Sequence, residues 1–374
     1  MRLDLPIVSF ICTVLVLIPL PWHWRARNIP TLSLIFWLTV VNFPRGINAI
    51  ICAGDKLAYV LVWCDITTKL TMGASYAYAS AAVCICRNLA HVCSPYYTIP
   101  NAAQRRTQTI FEICMCIVWP VIGMALHYVV QGNRFFVMED FGCQPSIYVS
   151  IPAVFIVYLP PIVCGLATIV YSAISLRWLV HRRTQFQVAL PSRPYGMTTE
   201  RHLRLVALSI TLMLSVTSMT VFVFVTNLTQ AGLRPWISWD FVHEDWYHIN
   251  QISKSIPPQS LWDHYLVGWY TVPFTSVIFF AFFGLGREAK DEYTKYARFL
   301  KTKILRIKPK ERPVLPISGN IRPNSTGSVI TPAVVLASHR TSISITKESK
   351  EVTSSSSTLG TSHPPSRLLV TIRK

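Results

Sequence analysis

No charged residue interrupts residues 149–176, which read VSIPAVFIVYLPPIVCGLATIVYSAISL. This stretch is longer than the roughly 20 apolar residues with which an α-helix crosses a bilayer. Similar runs recur between residues 5 and 286, and together they predict an all-α membrane protein with a bundle of seven transmembrane helices. The expected spans are 5–22, 29–52, 60–85, 109–130, 149–176, 203–228 and 265–286.

The overall composition agrees with a membrane-embedded body. Hydrophobic residues make up 51% of the chain and charged residues 14%, whereas soluble domains carry about 25% charged residues. The net charge of +18 would suit a nucleic-acid-binding protein, but the basic residues lie in short loops and in the C-terminal region. That placement is typical of cytoplasmic segments beside anionic membrane lipids, so we expect no nucleic-acid partner.

The loop charges also predict the orientation of the bundle. Lysine and arginine are concentrated in the loops 23–28, 86–107 and 177–202. Because cytoplasmic loops carry the excess of basic residues, we expect the N-terminus outside the cell and the C-terminus in the cytosol.

The chain divides into a membrane domain and a tail. We expect residues 1–304 to form the seven-helix domain, which ends in a short amphipathic juxtamembrane helix from residue 287. Residues 305–374 are basic and rich in serine, threonine and proline. This composition predicts a disordered cytoplasmic tail.

Prolines within the apolar runs predict irregular helices. The pair Pro160–Pro161 and the single Pro273 each remove a backbone donor, which should kink the fifth and seventh helices. Such kinks are pivots for activation in some bundles and static bends in others.

Several short motifs are spread along the apolar region. They are LPWHWRARN (20–28), NFPRGINAI (42–50), WCDITTKL (63–70), CICRNL (84–89), EDFGCQP (139–145), PWISW (235–239) and FFAFFG (279–284). In order and spacing they resemble the fungal a-factor-type mating pheromone receptors, which are class D G-protein-coupled receptors. The short tail suits the basidiomycete members, so we expect that type.

This resemblance implies a multi-pass receptor of the plasma membrane. Members bind a short peptide pheromone that ends in a farnesylated cysteine, activate a heterotrimeric G protein, and so drive a mating MAP-kinase pathway. We therefore expect no enzymatic activity, no cofactor and no metal. Homodimer formation stays open.

Three charged residues inside the predicted spans are candidate ligand contacts. A charge within the bilayer is costly and usually faces a cavity or a partner. Arg45 is either a ligand contact or half of an ion pair, for which Asp65 is the candidate partner. Asp65 and Lys69 lie four residues apart on one helix face. They either neutralise each other or join Arg45 in a positive site for a carboxylate or carbonyl group of the ligand.

Trp236, Trp239 and His243, in the long third outer loop, are the other candidate ligand residues. Aromatic side chains in such a loop either anchor it at the membrane interface or form a lid over the ligand. We favour the lid, because a ligand with a farnesyl group can arrive through the lipid.

Three of the ten cysteines, Cys52, Cys64 and Cys143, fall on the expected outer side. We predict a Cys64–Cys143 disulfide that holds the second outer loop over the ligand, with Cys52–Cys143 as the alternative. The other cysteines lie in helices or on the inner side, and we expect free thiols there.

Arginines on the expected cytoplasmic side are candidates for G-protein contact. Arg87 follows the predicted third helix in the setting Cys-Arg-Asn, which differs from the acidic-Arg-Tyr triplet of rhodopsin-like receptors. A purely membrane-anchoring role is the alternative. The remaining candidates are Arg105, Arg106, Arg182, Arg183 and Arg201.

Other membrane proteins fit the sequence less well. A retinal-binding rhodopsin needs a lysine in the seventh helix, and residues 265–286 contain none. A transporter or channel is the alternative function, but it would predict inverted repeats or rows of charged residues along a pore, and we find neither. An intramembrane enzyme would need clustered carboxylates, a His/Cys pair or metal ligands at depth, and the predicted spans contain no such cluster.

Overall fold

The structure, a computed structural model, describes residues 2–53, 60–94, 98, 100–181, 199–255 and 258–299. Within these residues, seven long helical segments follow one another along the chain, and a shorter helix follows the seventh. The predicted tail, residues 305–374, lies outside the described residues.

The helical segments agree in number and order with the predicted spans. They are α1 (Asp4–Leu17) with α2 (Leu20–Arg25); α3 (Ile29–Ile51); α4 (Leu61–Cys93); α5 (Ala102–Ile113) with a π-helical turn (Cys114–Val118), α6 (Trp119–His127) and a 3-10 turn (Tyr128–Val130); α7 (Ile151–Ala153) with a second π-helical turn (Val154–Tyr158) and α8 (Leu159–His181); α9 (Thr199–Ala231); and α11 (Gln259–Gly284). A short helix, α10 (Trp239–Val242), precedes α11, and α12 (Arg287–Phe299) follows it.

Six of the seven segments are long and apolar enough to cross a membrane. The third segment, α4, is less apolar because it occupies the middle of the bundle, where it packs against α3, α6, α8 and α9. Its buried residues include many small ones, such as Ala77, Ser80 and Ala81, which let neighbouring helices approach closely. The chain is therefore a multi-pass membrane protein, and its fold is a seven-helix bundle.

Helix α4 extends further than its apolar pattern predicts. It continues to Cys93 instead of ending at residue 85, so Arg87 lies inside the helix and does not follow it. The residue after the helix, Ser94, has the extended ψ of 139° that a following proline, here Pro95, imposes. The helix therefore continues past the apolar run and ends at Cys93, two residues before this proline in the sequence.

The second predicted inner loop is also shorter than expected. Helix α5 begins at Ala102 because Asn101 and Gln104 form a reciprocal capping box at its first turn. Arg105 and Arg106 consequently lie in a helix and not in a loop.

Three prolines leave backbone carbonyls that side chains of other helices satisfy. A proline has no N–H for the carbonyl four residues before it, and an unpaired carbonyl is costly in an apolar interior. The prolines are Pro120, Pro160 and Pro273, and the corresponding carbonyls belong to Cys116, Ile156 and Trp269. These carbonyls accept hydrogen bonds, in the same order, from Ser33 Oγ (3.2 Å), the Tyr76 hydroxyl and Arg45 Nη1 (2.7 Å). Each proline-containing segment is thereby tied to α3 or α4.

A small sheet joins two of the connections between segments. Strands β1 (Phe136–Met138) and β2 (Gly142–Gln144) pair antiparallel in the connection after the fourth segment. Strand β3 (Asn250–Ile252), between α10 and α11, pairs parallel with β1. We call these three strands the lid sheet, and their end of the bundle the sheet end. The opposite end, which carries α12, is the tail end.

Candidate functional site

A cavity of about 620 Å³ lies between the lid sheet and the helices. Five of the seven helical segments and all three strands contribute to its wall, which is mostly apolar and aromatic. Wall residues include Tyr78, Phe136, Tyr158, Phe222 and Trp269. The volume falls within the range of small-ligand sites, about 300–1,000 Å³.

Arg45 brings a positive charge to this apolar wall. Among the described residues that line the cavity, it is the one lysine, arginine, aspartate or glutamate. Its Nη1 donates to the Trp269 carbonyl (2.7 Å), and its guanidinium lies 5.9 Å from the centroid of the Trp269 ring. The side chain is only partly buried, so it can offer further donors to an oxygen atom in the cavity.

The predicted link between Cys64 and Cys143 is present in the structure. A disulfide joins these residues, whose Cα atoms lie 5.3 Å apart, and so attaches β2 to the first turn of α4. Cys52, the alternative partner, lies outside the disulfide. Its backbone carbonyl instead accepts a hydrogen bond from the N–H of Asp140 (2.8 Å) in the turn between β1 and β2.

Arg45, Asp65 and Lys69, which were expected either to pair among themselves or to form one positive site, take different partners in the structure. Asp65 is paired with Arg134, whose Nε lies 2.8 Å from Asp65 Oδ1, and not with Arg45 or Lys69. Arg134 precedes β1, far from α4 in the sequence, so nothing in the local spacing indicated it as the partner. Of the three, only Arg45 lines the cavity.

Lys69 belongs to a separate polar chain that reaches the cavity wall. Its Nζ donates to Gln131 Oε1 (2.6 Å) and lies 3.1 Å from His127 Nδ1. An ammonium group can only donate, so this geometry assigns Nδ1 as the acceptor and places the ring proton on Nε2. Nε2 lies 3.0 Å from the carbonyl oxygen of Ser146, which lines the cavity. Lys69 therefore supports the cavity wall indirectly, through His127 and the carbonyl group of Ser146.

Trp236, Trp239 and His243 do not line the cavity, so their expected role as a lid over the ligand stays a prediction. They pack on the end of the fourth segment. Trp236 Nε1 donates to the Val129 carbonyl (3.2 Å), and His243 Nε2 lies 2.9 Å from the Tyr128 carbonyl oxygen. The part of this connection that does border the cavity is β3.

Sequence reasoning missed most of the cavity wall. Aromatic residues such as Tyr158 and Phe222 sit in apolar runs, where nothing separates a cavity-facing side chain from a lipid-facing one. Besides the charge of Arg45, the motif at residues 139–145 was a usable signal, since it supplies Phe141, Gln144 and Pro145 to the wall.

Comparison with known proteins decides the family. Residues 5–303 match the model of the pheromone A receptor (STE3) family, which covers the whole helical body. The chain belongs to the STE3 family of pheromone A receptors.

Three relatives illustrate the range of similarity. The pheromone B beta 1 receptor of Schizophyllum commune is 42% identical over 288 residues, which are 77% of this chain and 53% of the relative. Pheromone receptor 1 of Ustilago hordei is 28% identical, with 77% of this chain and 81% of the relative covered. The pheromone a factor receptor of Saccharomyces cerevisiae is 24% identical, with 79% and 61% covered. The chain spans about half the length of the Schizophyllum relatives that it matches.

The candidate G-protein residues of this STE3-family chain lie at the tail end or outside the described residues. The Arg87 guanidinium lies 4.3 Å from the centroid of the Phe111 ring, beside a buried Glu112 that accepts from Asn88 Nδ2 (2.7 Å). Arg105 and Arg106 are exposed near the start of α5. Arg182 and Arg183 lie outside the described residues, as does the side chain of Arg201 in α9.

Helix α12 is docked against the end of the first segment. Arg25 and Glu292 form an ion pair, and the Trp22 and Tyr293 rings meet edge to face at 6.0 Å. Hydrogen bonds from Lys295 and from Arg25 hold the pKa of the Glu292 carboxyl below its usual value. The predicted juxtamembrane helix is thus present over residues 287–299, and polar contacts hold it to the bundle.

Proposed function

We propose that this chain is a G-protein-coupled receptor for a lipidated peptide pheromone, and that the cavity beside the lid sheet binds the pheromone. The observation that carries the proposal is the family match over residues 5–303, a range that contains every residue of the cavity wall. The relatives are named as pheromone receptors, and we extend that activity to this chain.

The chemistry of the cavity suits a ligand with a large apolar group and a peptide part. The aromatic and aliphatic wall supports binding of a farnesyl group, whose transfer from water is favourable in proportion to the apolar area buried. Arg45, Gln144 and Gln251 offer donors for peptide oxygens. We therefore propose a farnesylated peptide as the ligand.

The basic loops support an orientation in which the sheet end faces the outside of the cell and the tail end faces the cytosol. In that orientation the pheromone enters from the outer side or from the outer leaflet. The exposed Arg105 and Arg106 then contribute to the surface that meets the heterotrimeric G protein, together with Arg87, Arg182, Arg183 and Arg201. The receptor acts at the plasma membrane and feeds the mating MAP-kinase pathway, without enzymatic activity of its own.

A signalling assay tests this proposal. The chain is expressed in a yeast strain that lacks its own receptor of this type and carries a mating-pathway reporter. Matched panels of peptides, each made with and without a farnesyl group on a C-terminal cysteine, are then applied. We expect a reporter response confined to farnesylated peptides. A receptor that is detected at the cell surface and stays silent with every farnesylated peptide would contradict the proposed ligand class or coupling.

A further inference from the structure

Two side chains of α3 hold α11 on either side of Pro273. Asn42 Nδ2 donates to Ser276 Oγ (2.8 Å) on one side of the proline. On the other side, Arg45 Nη1 donates to the Trp269 carbonyl, the group that Pro273 leaves without its usual helical donor. The contacts of α3 with α11 therefore fix the backbone at the point where a helix bends most readily.

These two contacts differ in their access to a ligand. Asn42 and Ser276 are completely buried, and neither lines the cavity. Arg45 is partly buried and lines the cavity, and so does Trp269. A molecule in the cavity can thus reach the contact on the sheet-end side of Pro273, while the Asn42 contact stays sealed.

Arg45 has one described acceptor, and a guanidinium has five N–H donors. We propose that Arg45 couples ligand binding to the bend of α11, by exchanging the Trp269 carbonyl for an acceptor oxygen of the bound ligand. The exchange rests on the proposed function, since it assigns the ligand group that the cavity recognises. That group is an acceptor, because the guanidinium donates and cannot accept, and we assign it to a carbonyl or carboxylate oxygen of the peptide. Loss of the Arg45 bond leaves the Trp269 carbonyl unpaired and lets α11 bend at Pro273.

A pair of substitutions separates this role from a purely structural one. Arg45→Met removes the donors and keeps an apolar stem. Pro273→Ala restores the missing N–H, so that residue 273 can itself donate to the Trp269 carbonyl. If Arg45 serves only that carbonyl, the double variant R45M/P273A regains the ligand affinity that R45M loses. If Arg45 also binds the ligand, the affinity of the double variant stays as low as that of R45M.

The measurement is the Kd of full-length receptor in lipid nanodiscs for a fluorescent peptide, namely the farnesylated peptide that activates the unmodified receptor most strongly. The exchange predicts a Kd at least tenfold weaker for both R45M and R45M/P273A. It predicts an unchanged or tighter Kd for P273A, in which Arg45 is released for the ligand, with a reduced maximal signalling response. Equal Kd values for R45M/P273A and P273A would overturn the exchange.

Comparison of peptide ends identifies the oxygen. The same peptide is made with a C-terminal methyl ester and with a free carboxylate, and R45M is measured against both. If R45M loses a different amount of affinity for the two forms, Arg45 contacts the C-terminal group. If the loss of affinity is the same for both, Arg45 contacts a backbone carbonyl of the peptide. If no farnesylated peptide binds the unmodified receptor, the proposed function itself fails. If peptides bind and the double variant recovers, only the exchange fails.

Discussion

Asp65 and Arg134 form an ion pair one residue away from the disulfide that joins Cys64 to Cys143. Two consecutive residues of α4 therefore hold both sides of the β1–β2 hairpin, since Arg134 precedes β1 and Cys143 lies within β2. The hairpin supplies Phe136, Met138, Phe141 and Gln144 to the cavity wall, so the first turn of α4 helps to position that part of the wall.

Removal of the disulfide should destabilise the receptor and weaken its response to ligand. We expect Cys143→Ser to lower the free energy of unfolding by about 2–4 kcal/mol, because the bond closes a long loop of the chain. Asp65→Asn should cost about 1 kcal/mol or less, because the ion pair is partly exposed. Thermal unfolding of the purified receptor measures both changes, with Cys114→Ser, at an exposed free thiol, as the control. A Cys143→Ser variant as stable as the control would contradict the role given to the disulfide.

The pairing of proline-freed carbonyls with side chains of other helices predicts a specific rescue. Ser33→Ala removes the donor to the Cys116 carbonyl and should lower the stability by about 1 kcal/mol, within the range for a lost hydrogen bond. Pro120→Ala supplies a backbone N–H that can donate to the Cys116 carbonyl in place of the Ser33 hydroxyl. Ser33→Ala should therefore lower the stability less when Pro120→Ala is also present.

A double-mutant cycle on thermal unfolding measures this coupling. The same substitution at Ser218, which bonds to a carbonyl of its own helix (2.6 Å), is the control and should show no coupling to Pro120→Ala. Additive effects of Ser33→Ala and Pro120→Ala would rule out the pairing.

Gly142 should tolerate no side chain. Its φ is +76°, and an added Cβ would lie 2.4 Å from Asn48 Cβ. Asn48 cannot easily move, because its Oδ1 accepts a hydrogen bond from Trp63 Nε1 (2.7 Å). The left-handed backbone alone costs a non-glycine residue about 1–2 kcal/mol, so Gly142→Ala should reduce receptor at the cell surface.

Gly132 gives the matched control, because an added Cβ there meets nothing closer than 3.4 Å. Gly132→Ala should reach the cell surface at the level of the unmodified receptor. Equal surface levels for the two alanine variants would show that the hairpin is not packed against α3 as described.

The helices were predictable because membrane burial requires long apolar runs, and those runs are visible without any knowledge of packing. Their ends were less predictable. The end of α4 depends on Pro95 and the start of α5 on the capping pair Asn101 and Gln104, which are local signals of a different kind from hydropathy. The expected outer side reduced the candidates to Cys52, Cys64 and Cys143 but left two pairings open, and the structure shows Cys64–Cys143.

The cavity wall and the charge pairs were not predictable, because they depend on contacts between distant segments. The strands of the lid sheet have three residues each, too few to show an alternating pattern. Asp65 pairs with Arg134, which lies 69 positions away in the sequence, whereas helical spacing suggested Lys69 as its partner. Spacing on one helix identifies which side chains share a face, but it does not identify what the rest of the chain places opposite that face.

The central claim, that the cavity beside the lid sheet binds the pheromone, is tested most directly by filling the cavity. Thr220 lines it, while Ser218, two residues earlier on α9, is exposed on another face and is not part of the wall. Each hydroxyl donates to a carbonyl of its own helix. The measurement compares the binding of a fluorescent farnesylated peptide to Thr220→Trp and Ser218→Trp, at matched surface levels. We expect binding at least tenfold weaker for Thr220→Trp and unchanged for Ser218→Trp. Binding to Thr220→Trp as tight as to the unmodified receptor would contradict the assignment of this cavity.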